Sequence, residues 1–111
     1  MNSQTTVIAL AALAQESRLA IFRLLVRVGP EGMAATRIGD KLGIAPSSMS
    51  FHLKELAHAG LVSVRRDGRS MIYSANFDEM NALVGYLTEN CCGGNACTPA
   101  RAKRPSAIAK A

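Results

Sequence analysis

Aromatic residues are scarce in this chain of 111: they make up 5% of it, and none is Trp. With hydrophobic residues at 49% and Ala and Leu abundant, that shortage favours helices packed on helices over a sandwich of sheets. Long apolar runs are missing too. The best of them, VIALAALA at residues 7–14, is too short to cross a bilayer and has neither a basic region ahead of it nor a processing site. A signal peptide and a membrane span are therefore excluded, and a cytoplasmic protein is expected. Cysteine is absent from all but one stretch, ENCCGGNACTPAR, which holds Cys91, Cys92 and Cys97. An odd count in a chain without export signals argues against a disulfide framework and leaves reduced thiols as ligands, sensors or bystanders. Acid is missing from residues 98–111, which carry Arg101, Lys103, Arg104 and Lys110. These are four of thirteen bases, so residues 1–97 hold nine bases against eight acids, and the formal charge of +5 says little about nucleic acid. The local pattern says more: Arg65, Arg66 and Arg69 crowd one turn opposed only by Asp67.

What is present reads as one domain. Residues 4–14 and 17–28 are expected to be helices, with Ser17 as N-cap of the second. In that second helix Leu19, Ile21, Phe22, Leu24, Leu25 and Val28 form a broad apolar face, and Arg18, Arg23 and Arg27 lie off it. Gly29-Pro30-Glu31-Gly32 ends it as a turn. A short helix from about Ala34 to Leu42, with Ile38 and Leu42 inward, runs into Gly43, which suits a tight turn. Pro46 opens a helix to about His58 that buries Met49, Leu53 and Leu56, and Gly60 closes it. Leu61, Val62 and Val64, then Met71, Ile72 and Tyr73, read as a hairpin across Asp67-Gly68. Asn76 caps a last helix through about Asn90, whose stripe is Phe77, Met80, Leu83, Val84 and Leu87.

This order, α-α-α-α-β-β-α, is that of a winged helix-turn-helix, mainly α with a small β-hairpin. The residue 46–58 helix would enter a major groove of double-stranded DNA, with Ser47, Ser48, Ser50, Phe51 and Lys54 facing it. Small hydroxyls allow close approach and bond phosphate or base edges, and Phe51 can lie on thymine methyls. Arg65, Arg66 and Arg69 at the hairpin tip would reach backbone phosphates or a minor groove. The competing reading is a small helical bundle whose serines and arginines are merely capping and solvated.

The runs LAQESRLAIFRLLVRVG and IGDKLGIAPSSMSFHLKELAHAGLVSVRRDGRSMIYS resemble the ArsR/SmtB family of metal- and metalloid-responsive repressors over roughly residues 5–90. The resemblance implies a homodimer built from the first and last helices, bound to a palindromic operator and released by an inducer. It puts Ser47, Ser50 and Phe51 on DNA and turns His52 inward, where a satisfied, partly buried imidazole is expected; His58 reads as solvated. Two familiar inducer sites of that family are missing, since MAATRIGDKL has no thiol and FDEMNALVGYLTEN has no histidine.

The thiols are then the remaining ligands. Three soft sulfurs suit trivalent arsenic or antimony, As(III) or Sb(III), whereas zinc asks for a fourth ligand that no nearby histidine supplies. Gly93-Gly94 permits the reversal that would close Cys91, Cys92 and Cys97 on one ion. A methylated arsenical would need only two thiols, and a thiol redox sensor or a zinc or cadmium sensor of the same fold are the alternatives. Catalysis is disfavoured, because the cysteines follow a helix C-terminus, where the dipole opposes a reactive thiolate. The organisation expected is residues 1–90 for DNA binding and dimerisation, 91–97 for the inducer, and 98–111 as a disordered basic tail, with no catalytic cofactor and no membrane partner.

Overall fold

A computed structural model describes residues 1–94. Cys97 and the basic tail lie outside the described residues. The elements run α1 (Ser3–Leu13), α2 (Glu16–Val28), β1 (Met33–Ala34), α3 (Ala35–Leu42), α4 (Pro46–His58), β2 (Val62–Asp67), β3 (Ser70–Ala75) and α5 (Phe77–Leu87), followed by a 3-10 turn at Cys91–Gly94. The fold is the winged helix-turn-helix expected from the sequence.

Helix boundaries follow from side-chain chemistry at their ends. Asn2 starts α1 as a capping box with Thr5. The N-cap of α2 is Gln15 and not Ser17: its Oε1 accepts the Arg18 amide at 2.9 Å, two residues ahead of the expected start. Arg18 Nε then donates to the Ala12 carbonyl at 2.7 Å and pins the α1–α2 corner. Asn76 caps α5 by accepting the Glu79 amide, while its Nδ2 donates to the Gly60 carbonyl at 2.9 Å. That helix stops at Leu87, three residues short of expectation. Thr88 Oγ1 turns back to the Val84 carbonyl at 2.8 Å, and Asn90 takes φ 57°, which a continuing helix does not allow.

The core is built by α2, α3, α4 and the root of the sheet. Ile21, Leu25, Ile38, Leu53, Leu56 and Leu61 are fully buried, each contributing about 1.5–3 kcal/mol through burial. Leu19, placed on the apolar face of α2 by its spacing, is instead exposed. It sits one residue past the Arg18 corner, outside the layer that α4 covers.

The sheet has three strands where the sequence suggested two. Its order is β1-β3-β2, all antiparallel, with Met33 opposite Tyr73 and Ala34 opposite Ile72. Two residues cannot display a period, so β1 left no trace in the hydropathy pattern. Its position is dictated by Gly32, at φ 72°: a Cβ there would lie 2.5 Å from the Tyr73 carbonyl oxygen, so only glycine lets the turn close against β3.

Candidate nucleic-acid interface and thiol site

The turn between α3 and α4 rests on two glycines. Gly43 is left-handed at φ 69°, and Gly39 leaves room for the Ile44 carbonyl, which a Cβ would approach to 3.0 Å. Ile44 N–H donates to the Gly39 carbonyl at 3.0 Å, closing the turn. With Met49, Leu53 and Leu56 buried on one side of α4, helical geometry sends Ser47, Ser48, Ser50, Phe51 and Lys54 to the other, and all five are exposed. Phe51 is 55% exposed, with its ring edge-on to His52 at 5.8 Å.

Among the five helices, α1, α2 and α5 are capped by side chains, whereas α3 and α4 begin after Ala34 and Ala45 with no side-chain cap. Their first-turn amides have no side-chain acceptor among the described residues, and helix starts of this kind suit anions such as phosphate. The start of α3 also lines a cleft of about 250 Å³ formed by Ala34, Ala35, Thr36, Arg69, Ser70 and Met71. One wing arginine thus faces the same space as an open helix start.

The three wing arginines are not equivalent. Arg66 and Arg69 are exposed and make no side-chain hydrogen bond or ion pair among the described residues. Arg65 donates from Nη2 to the Glu31 carbonyl at 2.9 Å, across 34 residues of chain. His52 is partly buried, but among the described residues its enclosed Nδ1 has no hydrogen-bond partner, so those residues do not supply the satisfied imidazole expected there. His58 is exposed.

At the far end of the chain, Cys91 and Cys92 are exposed with their Sγ atoms 3.7 Å apart. The backbone beneath them is left-handed at Asn90, Cys92, Gly93 and Gly94, with φ of 57°, 58°, 68° and 93°. Both glycines therefore adopt the conformation for which a sharp reversal needs them. Because α5 ends at Leu87 and not near Asn90 as expected, Thr88–Asn90 separate it from the thiols. Cys97, the third expected ligand, is outside the described residues, and no group of three metal-ligating side chains forms among those described.

The helices at the two ends of the domain leave large apolar side chains outward. Val84 and Leu87 of α5 are 54% and 58% exposed, and Val7 of α1 is 64% exposed, with Ile8 and Leu10 also outward. Helical spacing alone put Val84 and Leu87 on a stripe but gave α1 no outward face. The signal was there, since VIALAALA is apolar all round and only Ala9 and Ala12 of that run are buried. No sequence signal distinguished Arg65 from Arg66.

Comparison with known proteins agrees with this geometry. A helix-turn-helix domain family matches residues 13–65, from the end of α1 to Arg65. The nodulation protein NolR of Rhizobium meliloti is 36% identical over 80 residues, which are 72% of this chain and 63% of that protein, so the chain spans less than two thirds of that relative. The HTH-type transcriptional regulator YceK of Bacillus subtilis is 39% identical over 77 residues, 68% of this chain and 76% of its own. Among solved structures, an ArsR-like transcriptional regulator from a Rhodococcus species superposes with a TM-score of 0.69 at 25% identity, covering 82% of each chain. A homodimeric winged helix-turn-helix DNA-binding domain from Mycobacterium bovis gives 0.63 at 26% identity, over 85% of this chain and 87% of that one.

Proposed function

The chain belongs to the winged helix-turn-helix transcription regulators of ArsR-like fold, and from that premise we propose that it is a cytoplasmic, metalloid-responsive repressor. In this reading it binds a palindromic operator as a homodimer and lets go when As(III) or Sb(III) joins Cys91, Cys92 and Cys97. DNA binding as a regulator is the family's property, and relatives carry the names of transcriptional regulators or activators. Repression, the palindromic operator, the dimer, the inducer and the cytoplasmic location are the proposed parts.

The observation that carries the inducer reading is the pair of exposed thiols 3.7 Å apart on a left-handed glycine turn. Two thiolates at that separation both reach one ion at a bond length of about 2.3 Å. With Cys97 as third donor, arsenous acid would condense with three thiols and release three waters. The homodimer is supported by Val7, Ile8, Val84 and Leu87, which a single chain leaves in water. Two recognition helices held across such an interface would meet half-sites about 34 Å apart. Closing the thiols on an ion would reshape the Asn90–Gly94 backbone next to Leu87 and change that spacing. A coupling of about 1–3 kcal/mol, or 5- to 150-fold in affinity, is typical of such linkage. It requires the ion to bind the DNA-free form more tightly.

The test is fluorescence anisotropy of a labelled duplex from upstream of this gene with reduced protein and increasing arsenite. Release that is lost in Cys91→Ser, Cys92→Ser and Cys97→Ser supports the reading, and binding that ignores arsenite sinks it. A redox reading draws on the same 3.7 Å separation, and release by hydrogen peroxide in place of arsenite would favour it.

A further inference from the structure

We propose that Arg65 is a positioning residue that sets the angle of the wing, and that Arg66 and Arg69 make the phosphate contacts beyond it. The proposal rests on the DNA-binding reading above and assigns different tasks to three arginines that the sequence presents alike. The sheet register carries it. Strand β1 pairs with β3 only at Tyr73 and Ile72, and those residues lie opposite Val64 and Arg65 of β2. At Arg65 the sheet is therefore three strands wide, and from Arg66 to Met71 it is a two-stranded ribbon. An isolated two-stranded ribbon is marginal in water and free to twist, so its direction is fixed where it leaves the third strand.

Arg65 stands at that root. It is opposite Ile72, which is opposite Ala34, so all three share one face of the sheet. From there its guanidinium crosses β3 to the Glu31 carbonyl at 2.9 Å. The acceptor immediately precedes Gly32, which sits so close to β3 that an added Cβ would lie 2.5 Å from the Tyr73 carbonyl oxygen and 3.0 Å from Ile72 Cγ2. This charge-assisted bond ties the outer strand, β2, to the turn that precedes the opposite edge, β1. Arg66, opposite Met71, is on the other face, and Arg69 lies beyond it in the turn facing the start of α3. The tip arginines thus have their charge available, while the root arginine has committed its side chain to the body of the protein.

The experiment uses the full chain and a labelled duplex enriched from a random pool by the wild-type protein, with affinity measured across a salt series and a urea midpoint taken for each variant. Arg66→Gln with Arg69→Gln is expected to weaken binding and to flatten the slope of log K against log salt by about 0.9 for each phosphate no longer neutralised. Arg65→Gln alone is expected to weaken binding by about three- to tenfold, in keeping with the loss of one solvent-exposed intramolecular hydrogen bond. It should also lower hydrogen-exchange protection at Val64 and Tyr73. The decisive arm adds Arg65→Gln to the Arg66→Gln, Arg69→Gln protein, where it should change neither affinity nor slope, since a misplaced tip that touches no phosphate has nothing more to lose. A further weakening there, with about 0.9 more off the slope, would make Arg65 a direct phosphate contact and overturn the proposal. So would an Arg65→Gln protein that binds like wild type. If the Arg66→Gln, Arg69→Gln protein itself binds like wild type, the wing-tip reading fails and the assignment of Arg65 falls with it.

Discussion

The α3–α4–wing region and the α1–α5 end with its thiols are built on opposite plans. Around α4 Met49, Leu53, Leu56 and Ile38 are enclosed, and the exposed face of the helix carries Ser47, Ser48, Ser50 and Lys54 beside Phe51, with Val64 and Met71 of the wing also outward. Its turns are forced by glycine at Gly32, Gly39 and Gly43. At the other end Val7, Ile8, Val84 and Leu87 face outward and the two described thiols sit on a left-handed backbone. The first region is finished within one chain and offers polar groups to a charged polymer. The second is unfinished, since its apolar surface gains free energy only when something covers it. A regulator divided this way would keep its DNA-reading geometry fixed while the end proposed to receive an inducer adjusts.

Breaking the finished region should have the largest effect. Leu56→Ala, at a fully buried position of α4, is expected to cost about 2–5 kcal/mol in urea denaturation and to take DNA binding with it. Leu87→Asp should instead leave the single-chain fold nearly intact, because the side chain is 58% exposed. It should abolish the dimer in sedimentation and weaken operator binding by about 30-fold or more, as removal of an interface anchor worth about 2 kcal/mol does. If Leu87→Asp remains dimeric, the covering partner is not a second copy at this face. Gly32→Ala should destabilise the fold by about 1–3 kcal/mol from left-handed backbone alone, with the Tyr73 carbonyl adding to it.

The smallest effect sharpens the comparison best. Ala45→Ser supplies the side-chain cap that α4 lacks, and the extended conformation of residue 45 suits an N-cap. It should raise stability by about 1 kcal/mol, which for a domain of this size is a melting shift of about 4–8 °C, while weakening DNA binding because the capped amide no longer reaches a phosphate. A variant that gains stability and binds DNA unchanged would show that the open amides of α4 serve no ligand.

Much of this was legible in residues 34–75. Gly43, Pro46 and Gly60 marked the helix ends, and Asp67-Gly68 marked the hairpin, because each acts through its own backbone. Other features were harder to read. Strand β1 is too short to show a period and forms only against the distant β3, while Gln15 competed locally with Ser17 as the cap of α2. In the site, the exposed face of α4 followed from 3.6-residue geometry once its buried side was known. The difference between Arg65 and Arg66 did not, since neighbouring arginines on a strand are alike until the register assigns them to faces.

The sequence by itself determined which segments are helical, where the wing turns, that Ser47, Ser48, Ser50, Phe51 and Lys54 share a side of one helix, and that all cysteines follow the last helix. These are properties of local dihedral preference and of spacing along a chain. Folding in three dimensions is what brings Gly32 close enough to β3 to admit no Cβ, takes Arg65 to Glu31, leaves His52 Nδ1 without a partner among the described residues, and brings the sulfurs of Cys91 and Cys92 to 3.7 Å. Each of these depends on where side chains and backbone come together after folding, a property of three-dimensional packing that local periodicity does not encode.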